Sequence, residues 1–149
     1  MNAFASPENT AIEGTEGTVG FGWDLFQREF YEFDSSGVTI MAIVAHEFGH
    51  VLQSKRGYPG RIRVGHPLES EINADFLSGY FMGTRKRRNP AIRFAPTGLL
   101  VERIAGYGPE RTHGTPTERL DAAEAGFRIG YVENKGLDEA VQAGLEYVA

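Results

Sequence analysis

The chain contains no cysteine. Disulfides and thiolate metal sites are thereby excluded, and any zinc has to sit on histidine and carboxylate. A cysteine-free chain also fits a reducing compartment, and a cytoplasmic location is the expectation. No apolar run approaches the roughly 18 residues that a membrane-spanning helix needs, so no membrane span is expected. The opening MNAFASPENT has neither a basic n-region nor an apolar h-region, so it does not read as a signal peptide. Positive charge is also in short supply. The 15 basic and 20 acidic residues leave a net charge of −5, which argues for solubility and against a general nucleic-acid binder. There is no internal repeat, no low-complexity tract and no linker long enough to divide the chain.

What remains is ordinary globular composition: 149 residues, 41% hydrophobic and 23% charged. That length predicts one domain, residues 1–149, large enough to bury roughly two thirds of its unfolded surface.

One stretch departs from the ordinary. Val38–Arg56, VTIMAIVAHEFGHVLQSKR, opens as an almost unbroken apolar run, and its length favours a helix over a strand. Gly37 before it, and Lys55, Arg56 and Gly57 at its end, are the usual punctuation and charge of a helix. A helix apolar on every side belongs in the middle of a domain. Its second half nevertheless carries His46, Glu47 and His50. At about 100° per residue the two histidines fall about 40° apart on one face, with Glu47 in the same sector as Ile40, Ile43, Val44 and Val51. A carboxylate among apolar side chains is costly unless something compensates it, and a divalent cation would. Two imidazoles one turn apart are suitable donors for zinc, Zn2+, and a glutamate beside them can hold a water on the metal. Ordinary residue usage makes a chance H-E-x-x-H in such a chain an event of roughly one per cent or less.

The rest of the chain supplies a frame. Asn2–Ala5 and Thr15–Phe21 read as short extended segments of a small sheet, whose edge could pair with an extended peptide. Asp24 is a candidate N-cap for a short helix Leu25–Phe33, which Asp34–Gly37 terminates. Residues 57–66 read as a loop ending in His66, most simply a solvated histidine. Pro67 suits the first position of a helix reaching about Thr84, with an apolar stripe of Leu68, Ile72, Phe76 and Gly79. Glu71 and Asp75 lie within or beside that stripe, whereas Glu69 and Asn73 lie further round. The tract Arg85–Arg88 complements the end of that helix. Thr97–Ala105 reads as a short helix. Thr115-Pro116-Thr117-Glu118 is a capping box opening a helix to about Ile129, and Leu137–Val148 is a last amphipathic helix.

Two histidines leave a catalytic zinc one protein ligand short, with one position kept for water. Glu71, 21 residues after His50, is the predicted third ligand; Asp75 one turn on would then stand behind a ligand imidazole and accept its proton. Glu69 and Asp75 are the competing ligands, and helical phase disfavours Glu69.

HEFGH, then ESEINAD with its E-x-x-A-D core, then THGTPTERLDAAEAGF, together resemble the gluzincin zinc metallopeptidases. The nearest likeness is to the neutral zinc metallopeptidase family, related to the CAAX-protease-like peptidases, and it covers roughly residues 1–127. The resemblance implies that His46, His50 and Glu71 bind zinc, that Glu47 is the general base and that Asp75 supports a ligand from behind. It also pairs His113-Gly114-Thr115 with a following helix carrying Arg119, and NAFA is similar to a segment leading the catalytic sheet in such relatives. Without membrane spans, the prenylated substrates of the membrane-bound relatives are not carried over. HEFGH also opens the metal site of regulatory peptidases that cleave repressors; the H-G-T segment points away from these. Metal-assisted peptide hydrolysis further needs an oxyanion donor, for which His113 is the candidate, with Tyr107 behind it. Arg119 reads as half of a structural ion pair.

The expectation is therefore an α+β, mostly helical, zincin-like domain with a small N-terminal sheet and a central H-E-x-x-H helix. It would be a zinc metallopeptidase acting on a peptide or protein substrate. The rival is a non-catalytic, zinc-stabilised binding module with its fourth metal position blocked.

Overall fold

The computed structural model describes residues 3–8, 12–56, 67–93 and 110–149. The expected loop 57–66 with His66, the expected helix Thr97–Ala105 and Tyr107 lie outside these residues.

Two strands, β1 (Ala3–Ser6) and β2 (Thr18–Phe21), form an antiparallel hairpin-like sheet in which Ala3 faces Phe21 and Ser6 faces Thr18. A short helix α1 (Trp23–Gln27) follows, with Gly22 rather than Asp24 at its N-cap, so Asp24 falls in the first turn. The chain continues as a π-helical turn, Arg28–Phe33, closed by the Asp34 amide donating to the Glu29 carbonyl at 2.9 Å. Asp34 then caps the next helix: its carboxylate accepts from the Ser36 and Thr39 amides, each at 3.0 Å. That helix, α2 (Val38–Lys55), carries HEFGH. After it come α3 (Pro67–Arg88), α4 (Glu110–His113), α5 (Pro116–Tyr131) and α6 (Leu137–Val148). The architecture is α+β and mostly helical. Among the described residues no helix is long and apolar enough to cross a membrane.

Helices α2 and α3 bury nine residues each, but only α3 has a stretch closed in on every side. Every residue from Asn73 to Gly79 is buried, so nearly two turns of α3 have no outward face. By contrast α2 leaves Val44 37% and Phe48 53% exposed. Apolar character does not by itself bring burial, since much of any protein surface is apolar. What brings neighbours onto every side of α3 is the smallness of Ala74, Ser78 and Gly79. It runs four residues past the expected end near Thr84, so Arg85–Arg88 form its last turn. There Lys86 donates to the carbonyls of Pro90 and Ile92, just beyond the helix, and Arg87 to that of Tyr131 at the end of the helix Pro116–Tyr131.

Helix α5 lies along α3 in the same direction: Gly79 abuts Ala123, and Gly83 abuts Phe127. A Cβ on Gly79 would fall on the Ala123 carbonyl, and one on Gly126 would fall on the Phe76 carbonyl. The start of α5 is fixed by the capping box. The Thr115 amide donates to the Glu118 carboxylate at 2.8 Å, and the Glu118 amide returns a bond to the Thr115 hydroxyl at 3.2 Å. A third side of α3 is covered by α6, through Val141 against Leu77 and the Tyr147 ring 5.6 Å from that of Phe76. Val38, Ala42 and Met82 form the core between α2 and α3.

In an exposed helix Gly→Ala is favourable by about 1 kcal/mol. At Gly126 the backbone-to-backbone approach should reverse that sign. Overpacking of this kind costs typically about 1–3 kcal/mol, so Gly126→Ala is expected to lower the thermal midpoint by several degrees. An unchanged or higher midpoint in a melting curve would contradict the close packing of α3 and α5.

Candidate metal centre

The two motifs meet because α2 and α3 run antiparallel with their turns in register. The hydroxyl of Ser78 donates to the carbonyl of Ala42 at 2.9 Å. One turn along, His46 meets Asp75, and one turn further His50 meets Glu71. The helices cross where Gly49 faces Ala74. A Cβ on Gly49 would lie 3.2 Å from the Ala74 Cα, tighter than ordinary contact, so any larger residue there would push the helices apart. The second x of H-E-x-x-H and the Ala of E-x-x-A-D are thus the contact that sets the distance between the side chains flanking them.

His46, His50 and Glu71 are brought together, with one potential ligand atom from each lying within 4.8 Å of the others. The His46 Nε2 stands 3.2 Å from Glu71 Oε2, and the His50 Nε2 3.4 Å from Glu71 Oε1. Two ligands of one tetrahedral zinc with bonds near 2.05 Å are separated by about 3.3 Å, so this spacing suits a shared ion. Both Nδ1 atoms are engaged on the far side. His46 donates to Asp75 at 2.8 Å, and His50 bonds to Gln53 at 3.0 Å. The remaining nitrogens therefore both face the carboxylate, and a nitrogen–nitrogen–oxygen set fits zinc or a similar transition ion. Neither Glu69 nor Asp75 belongs to this cluster.

Asp75 is bonded from both sides. The Arg119 Nε donates to its Oδ2 at 2.6 Å and the Arg119 Nη2 to its Oδ1 at 3.0 Å. Arg119 is almost wholly buried, and this fork pays the desolvation of both charges.

The electrostatics follow from burial and these partners. Burial alone would depress the His46 imidazole, but the Asp75 charge and hydrogen bond, reinforced by Glu71, lift it to about 10. Burial would raise Asp75 and Glu71. His46 and Arg119 hold Asp75 low instead, and hydrogen bonds from the two imidazoles hold Glu71 well below the usual carboxylate range. Glu47 moves the other way, pushed up chiefly by burial against the opposing pull of the imidazoles.

Glu47 lines the same cleft but stands outside the ligand cluster, and its side chain has no hydrogen bond or ion pair among the described residues. The cleft has a volume of about 500 Å³. It is lined by Ala3, Phe4 and Ala5 of β1, by the apolar Leu25, Ile43 and Pro67, and by His113 and Arg119. His113 Nδ1 shares a hydrogen bond of 2.7 Å with the Thr112 hydroxyl. Of the expected residues, His46, Glu47, His50, Glu71 and His113 all border this one cavity, with Asp75 behind His46.

Gln53 was not singled out from the sequence, although it lies one turn beyond His50 on the same face. The meaning of Gly49 and Ala74, and the pairing of Arg119 with Asp75 44 residues away, were also hidden. The chain matches no protein-family model, no curated protein and no solved structure.

At neutral pH the metal-free His46 holds protons on both nitrogens, because its raised value lies far above 7. A metal taking Nε2 displaces one. Zinc titrated at pH 7 in buffers of different ionisation enthalpy should therefore release at least one proton per ion and bind more weakly as pH falls. Glu71→Ala should weaken zinc by more than the about 10–100-fold typical of an outer partner, and Glu69→Ala should leave it unchanged. Zero proton release, or loss of zinc only in Glu69→Ala, would contradict this ligand set.

Proposed function

We propose that this chain is a zinc-dependent metallopeptidase with a zincin-like, gluzincin-type fold, and that His46, His50 and Glu71 hold the metal. The observation that carries the proposal is Glu47. It is a partly buried carboxylate beside the imidazole pair, bordering an open cleft, and no hydrogen bond or ion pair ties it to another described side chain. A purely structural metal site has no use for such a group, and that weighs against a zinc-stabilised binding module. A general base needs to be free, close to the reacting water and raised in pKa toward neutrality. The burial that raises the Glu47 carboxyl, and its place on α2 bordering the cleft, support that role.

A divalent cation bound here supplies Lewis acidity, polarising a carbonyl and lowering the pKa of a water toward about 7. The protein groups do the rest. Glu47 takes the proton of the attacking water on its carboxylate and passes it to the departing amine. His113, which also lines the cleft, is the donor for the oxygen of the carbonyl under attack. Asp75 and Arg119 keep His46 oriented. β1 has a hydrogen-bonding edge with no second strand among the described residues, and it borders the cleft. An extended peptide laid beside it would pair through its backbone and present one bond to Glu47. The substrate class is therefore peptide or protein.

Glu47→Gln keeps size and shape and removes the base. The variant should bind zinc and melt like the parent while cleavage of fluorescein-labelled casein falls by at least about 10²–10⁴-fold. A chelator should abolish cleavage by the parent. Turnover by Glu47→Gln equal to that of the parent would rule the mechanism out. Stoichiometric zinc in a parent protein that cleaves no casein would favour the binding module.

A further inference from the structure

We infer that Gln53 is the positioning residue for His50: it holds a proton on Nδ1 and so leaves Nε2, the nitrogen facing Glu71, as the one a metal can take. The inference rests on the reading of His46, His50 and Glu71 as a metal centre, but its geometry is independent of any activity.

The chain of constraint starts at a backbone carbonyl. Gln53 is 4% exposed, and one end of its carboxamide lies 2.8 Å from the Ser70 carbonyl oxygen. A carbonyl only accepts, so the group facing it is the Gln53 NH2. The same NH2 donates to Asn73 Oδ1 at 3.0 Å. The other end is then the oxygen Oε1. It accepts from the Ser70 hydroxyl at 2.7 Å and stands 3.0 Å from His50 Nδ1. An oxygen with no proton requires a donor opposite it, so Nδ1 carries the hydrogen. Each step is forced by the one before, and the tautomer of His50 is settled by the main chain of α3. Four hydrogen bonds saturate the amide and fasten the last turns of α2 to the first turns of α3 beside Glu71.

Gln53 is thus to His50 what Asp75 is to His46, with one difference: its charge is zero. Asp75 is neutralised by Arg119. Among the described residues, the contacts of Gln53 are a hydroxyl, a carbonyl, an amide and an imidazole, with no cation to balance a carboxylate. A neutral acceptor orients the ring without burying a second anion. Outer partners of metal-bound histidines fix tautomer and ring orientation and are worth about 10–100-fold in metal affinity.

The test is 15N-edited NMR of the imidazole nitrogens in the metal-free protein at alkaline pH, with zinc affinity measured alongside. The parent should show His50 protonated on Nδ1. Gln53→Met, close in size, should release the proton to Nε2 or to a mixture, and zinc binding should weaken by about 10–100-fold. Gln53→Glu keeps an acceptor and should keep Nδ1 protonated; Asn73 Nδ2, buried and without a partner, can turn toward the new oxygen. A merely structural glutamine would alter the melting temperature and leave the tautomer alone. The inference is overturned by a parent His50 protonated on Nε2. It is equally overturned by Gln53→Met with unchanged tautomer and zinc affinity, or by Gln53→Glu with its proton on Nε2. Should Gln53→Met fail to fold, the parent and Gln53→Glu spectra still decide. A parent with the expected tautomer and no zinc affinity would remove the metal reading and leave the Gln53 lock standing.

Discussion

The close crossing of two antiparallel helices, Gly49 of α2 on Ala74 of α3, governs the rest of the molecule. Helical side chains recur every three to four residues on a face. Two such helices in register therefore present His46 and His50 to Asp75 and Glu71 as two matched pairs, one per turn. Neither motif would hold a metal by itself. The histidines supply two donors and the acidic helix a third, and only the small residues between them let the donors share one point. The same register continues outward to Ser78 on Ala42 at one end and Gln53 on Ser70 at the other. Hydrogen bonds thus hold the alignment on both sides of the site.

Charge is the second constraint. Three carboxylates, Glu47, Glu71 and Asp75, and two imidazoles sit in a partly buried volume, where an unbalanced charge is expensive. Arg119 balances Asp75, and it arrives by a different route from the rest, from the first turns of α5. Its position depends on the Thr115–Glu118 capping box, which fixes where α5 begins, and on the glycine contacts that press α5 against α3. In the metal-free protein the proton on His46 Nε2 lies between the imidazole and Glu71, where a cation would otherwise bridge them. The site therefore carries compensation in either state, which is how the fold tolerates such a group of ionisable side chains.

Much of this was legible in the sequence because it is local. The spacing of His46 and His50 dictates a shared face wherever the helix lies, and the phase of Glu71 against Leu68, Ile72 and Phe76 turns that acid inward. The capping box at Thr115 and the amphipathic pattern of Leu137–Val148 are local too, and both elements stand where their residues indicate. What escaped depends on partners distant in the chain. Nothing near Arg119 announces Asp75. The apolar run of Val38–Ala45 suggested a helix surrounded on all sides, yet Val44 stands exposed, and it is Asn73–Gly79 of α3, with its smaller residues, that has no outward face. Gln53 resembles any helix-end polar residue until Ser70 and Asn73 close over it.

The central claim is a transition ion held between α2 and α3. It is tested most directly by crystals of the zinc-loaded protein measured on either side of the zinc absorption edge. The account predicts one anomalous peak per chain, in contact with His46 Nε2, His50 Nε2 and a Glu71 carboxylate oxygen, with a further position open toward the cleft. A protein that takes up no zinc, or a peak lying away from these three side chains, would contradict it.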